Sequence, residues 1–166
     1  MEAAEIHLVL GPKKTKVIGD AKARAHEGTI DIDHWSWSLT VKEEWAKGTG
    51  VRGSGNHADP SEMTLKKRVD RSSTSLMTAA VRSEVFTEAT LHMIHRVEKG
   101  LRMTVKMFDV RVVDYDVRVA GESSLAELSE TIRLSFDKMR VEYQSRAGMK
   151  DDKKVGVTRT FDMKIT

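Results

Sequence analysis

The chain has 166 residues, with 28 Lys and Arg against 25 Asp and Glu, two Pro and no Cys; that length suits one domain over 1–166 with a sizeable core. Its apolar share of 39% argues against wholesale disorder, and the lack of cysteine excludes a disulfide scaffold, a thiolate nucleophile and Cys-ligated zinc. No apolar run nears the roughly 18 residues of a membrane span, the acidic start is unlike a signal peptide, and a net charge of +3 does not by itself argue for nucleic acid.

Ile6 to Leu10 is the first apolar run, closed by the turn pair Gly11-Pro12. The basic stretch Lys13 to Lys16 leads into Val17-Ile18 and Gly19-Asp20. Thr29 to Leu39 is the clearest strand. Ile30 and Ile32 stand on one side and Asp31 and Asp33 on the other, after which Trp35 and Trp37 take the Asp side. Apolar groups on both faces of one strand fit a sheet that bends across a barrel or sandwich. Lys42 to Pro60 carries Gly48, Gly50, Gly53 and Gly55 among few, unpatterned apolar residues, and reads as an extended loop long enough to mean function or disorder. Met63 to Val69 resumes a strand. Asp70 to Ser75 then offers N-caps for a short helix from Thr74 to about Arg82, with an apolar stripe of Leu76, Met77, Ala80 and Val81.

Residues 85–97 and 124–136 fit a strand or a helix nearly equally well, the second because Ser124-x-x-Glu127 resembles a capping box. Glu98-Lys99-Gly100 marks a hairpin, and the strand that follows runs from Leu101 to Val119 with a parity shift near Phe108, as a bulge would give. Met139, Val141 and Tyr143 alternate, as do Val157, Phe161, Met163 and Ile165 with Arg159 interrupting. About seven or eight strands and one short helix make a mainly β fold, a closed or nearly closed antiparallel barrel.

No motif points to chemistry. Gly48-Thr49-Gly50-Val51-Arg52-Gly53 matches G-x-G-x-x-G but has neither an apolar strand before it nor a helix after it, so it reads as loop. His92-x-x-His95 and His57-Ala58-Asp59 read as solvated residues, because two ligands on a mobile loop make no metal site and an odd spacing on a strand separates side chains to opposite faces. Lys66-Lys67-Arg68 and Lys150 to Lys154 read as solvated strand faces, since no aromatic residues interleave with them as a nucleic-acid platform requires. There is no nucleophile elbow and no pair of carboxylates in an apolar setting. The expectation is a protein that is not an enzyme, with no catalytic residue, metal or cofactor.

The order of these features resembles the haemolysin-coregulated protein (Hcp) family, the tube component of bacterial type VI secretion systems. The resemblance rests on Gly19-Asp20-Ala21; on His26 followed by Ile30-Asp31-Ile32 and Trp35-Ser36-Trp37; and on Lys67-Arg68-Val69-Asp70-Arg71-Ser72-Ser73 with Leu76-Met77-x-Ala79. It extends to Leu128 through Phe136 and to Val141-Glu142-Tyr143, covering about residues 17–145. Departures include Thr74 where the family often has Pro, Arg82-Ser83 where it has Gly, and a more charged long loop. The resemblance implies that 87–97 and 128–136 are strands, that six copies close into a ring, and that rings stack into a hollow tube driven by sheath contraction.

On that reading the 42–60 loop reaches the adjacent ring, with Trp45 as apolar anchor and Arg52, Asn56 and Asp59 as polar contacts, and Ala120, Gly121, Glu122 and Ser123 face the lumen. The implied partners are copies of itself, the sheath, a VgrG-like spike, the baseplate and secreted effectors carried in the lumen. The protein would be cytoplasmic before assembly and leave through the apparatus without a signal peptide. A phage-type tail-tube protein, or in a different class a small-ligand β-barrel carrier, are the alternatives.

Overall fold

Alternation decides which side of each strand is inside. Leu8 and Leu10, Met63 and Leu65, Val105 and Met107, and Ile132 and Leu134 occupy every second position of their strands and are almost wholly buried. The computed structural model describes residues 4–11, 17–22, 26–45, 52–96, 102–119, 128–145 and 157–164, with backbone alone at 42–45, 52–58, 145, 157–160 and 164. The strands are β1 (Ala4–Leu10), β2 (Ile30–Asp31), β3 (His34–Ser36), β4 (Leu39–Trp45), β5 (Arg52–Pro60) and β6 (Met63–Arg68). After helix α1 (Ser73–Val81) come β7 (Phe86–His95), β8 (Arg102–Val119), β9 (Leu128–Ser135), β10 (Lys138–Ser145) and β11 (Val157–Lys164). Both ambiguous segments are strands where described.

The strands pair antiparallel in the order β2-β1-β7-β8-β9-β6-β3. That path begins and ends on one stretch of chain, because only Ile32 and Asp33 separate β2 from β3. Ile32 N donates to Ile6 O at 3.0 Å and Asp33 N donates to Lys66 O at 2.8 Å. The wall is therefore nearly closed, by a two-residue bridge of main chain instead of a ladder between strands. The single strand expected over 29–39 is broken at this bridge, and the break brings both Ile32 and the two tryptophans onto the core.

β8 is the backbone of the fold. Its first half lies between β7 and β10, and its second half pairs with β9. β9 and β10 follow each other along one edge of β8 in the same register, from Arg111↔Ser135 to Phe108↔Lys138. Met107 and Val110 are both buried although an odd spacing separates them. Asp109, at φ 54°, sits at this change of parity, which is the shift read near Phe108; Asp is one of the few residues that visits this region readily. The register against β7 is unchanged across it, from Glu88↔Phe108 to Phe86↔Val110, so no residue is inserted there, and the bulge in β8 falls instead between Val112 and Asp114.

Two expectations need correction. The 42–60 segment is a β-hairpin, β4 on β5, paired from Leu39↔Pro60 to Trp45↔Arg52 and forming a sheet apart from the wall. Its strands are identified by main-chain pairing, which the few, unpatterned apolar residues of the sequence did not announce. The helix runs from Ser73 to Val81 and buries Ser73, Leu76 and Ala79, leaving Met77 and Val81 exposed. The stripe is thus shifted toward the N-terminus because Ser73 is drawn into a polar cluster described next.

Candidate assembly surfaces

Side chains directly opposite in neighbouring strands share a face. One such row runs Leu8, Leu91, Val105, Val141, Phe161 across β1, β7, β8, β10 and β11. Leu8, Leu91 and Val105 are fully buried, Val141 partly, and Phe161 is 47% exposed. The core face therefore continues past the wall onto β10 and β11, where Tyr143 is also 44% exposed. At the far end of β8, Tyr115 and Val117 stand opposite the buried Ile132 and Glu130, and Val119 opposite Leu128. Val117 and Val119 are 41% and 56% exposed. One subunit thus carries two separate apolar strips, each an extension of its inward face.

Between them lies a buried ionic cluster. Lys67 shares the inward parity of Met63 and Leu65 and has no exposed side-chain surface. Its Nζ donates to Arg68 O at 2.8 Å, to Asp70 Oδ1 at 2.9 Å and to Glu130 Oε1. Ser73 Oγ donates to Glu130 Oε1 at 3.0 Å, and Tyr115 OH donates to Glu130 Oε2. Burial pushes the Asp70 carboxyl up, but the Ser72 and Lys67 hydrogen bonds and the Lys67 charge outweigh it and hold the group below its ordinary value. Lys67 Nζ thus has an acceptor for each of its three donors, and all three tie it to neighbouring segments of the fold. The expectation that Lys66-Lys67-Arg68 is a solvated face holds for Lys66 and Arg68, which are exposed, and fails for Lys67. Here the Lys67-x-x-Asp70-x-Ser72-Ser73 motif ties β6 to β8, β9 and the start of α1.

Of the residues assigned to the long loop, Trp45 and Arg52 are ladder partners in the hairpin, Asn56 pairs with Glu43, and Asp59, exposed, pairs with Thr40. The structure brings the first two together and spaces the others along β5. Ala120, Gly121, Glu122 and Ser123 lie outside the described residues, as does the 150–154 cluster. Arg52 and Gly53 of the glycine motif begin β5, so no helix follows those glycines. At the hairpin's root a cavity of about 370 Å³ is lined by Ser36, Trp37, Ser38, Ser61, Glu62, Thr64 and Arg133. The Trp37 indole N–H is buried without an acceptor.

His92 is not the solvated residue expected. It is part of a stack with His7 and His26, two residues whose involvement the sequence reading missed. Among the described residues, no group of three or more His, Asp or Glu could hold a metal ion, and no helix is long and apolar enough to cross a membrane.

Comparison with known proteins converges on one family. The family model for the type VI secretion system effector Hcp matches residues 10–143. Solved structures share the fold. A type six secretion system protein is 21% identical at a TM-score of 0.82, covering 98% of this chain and 96% of its own. Hcp1 from Salmonella typhimurium is 20% identical at 0.69, covering 97% and 95%. A type VI secretion system effector from Yersinia pestis is 17% identical at 0.67, covering 95% and 99%. A comparison with curated protein sequences found no match. With the family's pattern spanning most of the chain, and the nearly closed wall, single helix and Lys67-to-Ser73 motif all in place, this chain belongs to the Hcp family of type VI secretion proteins.

Proposed function

We propose that this protein is the ring-forming subunit of a type VI inner tube, six copies closing head to tail and rings stacking coaxially. The observation that carries this reading is the pair of exposed apolar strips, Tyr143 and Phe161 on β10 and β11, and Val117 and Val119 on β8. A ring needs a heterologous contact, in which one patch meets a different patch on the next copy; two unlike strips on one subunit meet that requirement. Covering side chains of this size contributes on the order of 1–2 kcal/mol each when about half their surface is already buried.

The hairpin β4–β5 reaches toward the adjacent ring, with Trp45, Arg52, Asn56 and Asp59 as contacts. Its support is that both strands pair only with each other in the described sheets. The Ala120–Ser123 connection faces the lumen. Sheath, spike and baseplate proteins are the partners, effectors are the lumen's cargo, and the tube is secreted through the apparatus.

Sedimentation of the purified chain, together with electron microscopy, tests the reading. Annular particles of about six times 18.7 kDa are expected. Single chains across salt and pH would overturn it, and would return the ligand-carrier alternative.

A further inference from the structure

A second cluster of titratable groups sits on the outer face of the wall. Register places Asp31 of β2, His7 of β1 and His92 of β7 side by side in one row. His26, from the segment between β1 and β2, lies over that row. Its ring stacks on His7 with centroids 4.4 Å apart and planes 11° apart, and it meets His92 at 5.4 Å and 45°. His7 faces outward yet is only 3% exposed, because this segment covers it. Neither ring nitrogen of His7 has a hydrogen-bond partner; Asp31 Oδ1 approaches Nδ1 to 2.9 Å and Glu5 Oε2 approaches Nε2 to 3.7 Å as charge contacts.

The covering segment is a strap with its own internal bonds. Gly19 N donates to Gly28 O at 3.0 Å, Gly28 N to Ala21 O at 3.0 Å, and Ala21 N to Thr29 O at 3.1 Å. Its outer end is tied to the lead-in of α1, where Arg71 Nε donates to Gly19 O at 3.0 Å. A latch made of stacked imidazoles is only as good as their neutrality, because like charges this close repel.

We propose that the His7–His26–His92 cluster is an acid-sensitive latch that holds the described parts of the strap, residues 17–22 and 26–29, on the outer face of the wall and releases them when His26 and His92 protonate. Charged groups face the stack from every side. Glu5 of β1 and Asp31 of β2 favour protonation of His26, Arg102 of β8 opposes it at His26 and His92, and Lys106 of β8 opposes it at His92. Glu142 of β10 shares a cavity of about 360 Å³ with His26, His92 and Arg102. Burial, then the neighbouring imidazoles, lower both His26 and His92 from the ordinary value of 6.5, and the two carboxylates do not reverse that. A histidine whose folded-state pKa is lowered contributes stability that is complete above 6.5 and drains as pH falls below it, since the open state then binds more protons. Release would also free the Arg71 side chain from Gly19 O.

Amide hydrogen exchange at pH 7.5 and 5.0, corrected for the intrinsic chemical rate, tests the latch. Protection at Ala21 and Gly28 is expected to fall about tenfold or more at pH 5.0 while the β6–β9 amides keep theirs. H26Q and H92Q should flatten that dependence. If those variants lose the strap outright, NMR titration of the wild-type imidazoles decides, with midpoints below 6.5 expected for His26 and His92. Equal strap protection at both pH values, an equal loss across β6–β9, or imidazole midpoints at or above 6.5 would each overturn the proposal.

Discussion

Two clusters of buried titratable side chains divide the labour in this wall, one on its inner face and one on its outer face. Inside, Lys67 lies between two carboxylates, and two hydroxyls add hydrogen bonds to Glu130. Outside, His26 stacks on His7 and meets His92 at a tilt, and the most buried of the three, His7, has carboxylates beside its ring nitrogens but no hydrogen bond to them. The first arrangement answers each charge with its opposite. In the second, burial and the neighbouring rings lower His26 and His92 below their ordinary value. Burial of a polar residue therefore says little until its partners are counted. The paired cluster fixes how β6, β8, β9 and α1 meet, whereas the stacked one is conditional on pH.

The sharpest way to break this contrast is to remove one charge from the inner cluster. K67M strands Glu130 in the core and should cost about 3–5 kcal/mol in chemical denaturation. The double variant K67M/E130L should recover most of that loss, since an apolar pair leaves no unpaired charge; failure to recover would mean the cluster has a further role. Y115F removes one hydrogen bond to a charged acceptor and should cost about 1.5–3 kcal/mol. Gly19→Ala probes the outer strap instead. The added Cβ would fall 2.3 Å from Thr29 O, a backbone clash that should cost roughly 1–3 kcal/mol and lower strap protection in hydrogen exchange. Acid gives the smallest effect and separates the clusters by order. Stability linked to His26 and His92 drains as pH falls below 6.5. Asp70, whose folded-state pKa is lowered, contributes stability that is present above 3.8 and is lost only as pH falls through its lower folded value. Thermal melts from pH 7.5 to 3 should show two successive drops in Tm, the strap's first.

Much of this was legible in the residues. Period-two alternation put Ile30 and Ile32 on one side of their strand, which is the buried side, and the parity change near Phe108 is present between Met107 and Val110, although the bulge itself lies at Val112–Asp114. The same alternation also put Lys67 after Met63 and Leu65, and Glu130 before Ile132 and Leu134, on the core side. That was the available signal for the ionic cluster: two opposite charges on inward positions of two strands that pair. Reading Lys66-Lys67-Arg68 as a charge run hid it, because a run ignores that successive strand residues face opposite ways. His7 had no such signal. It is outward by parity and becomes buried only because a distant segment folds over it. The hairpin was missed for the opposite reason: β4 and β5 pair through their main chains, and main-chain pairing leaves no trace in a sequence that lacks apolar alternation.

Central to the proposed function is a contact in which the two apolar strips meet on neighbouring copies, and the chain's lack of cysteine permits a direct test. V119C and F161C should be introduced together and oxidised at low protein concentration. The account expects links between position 119 of one copy and position 161 of the next, identified by mass spectrometry, in a ladder that ends at six. Links only between like positions, or no links while both thiols react freely with a maleimide, would contradict it.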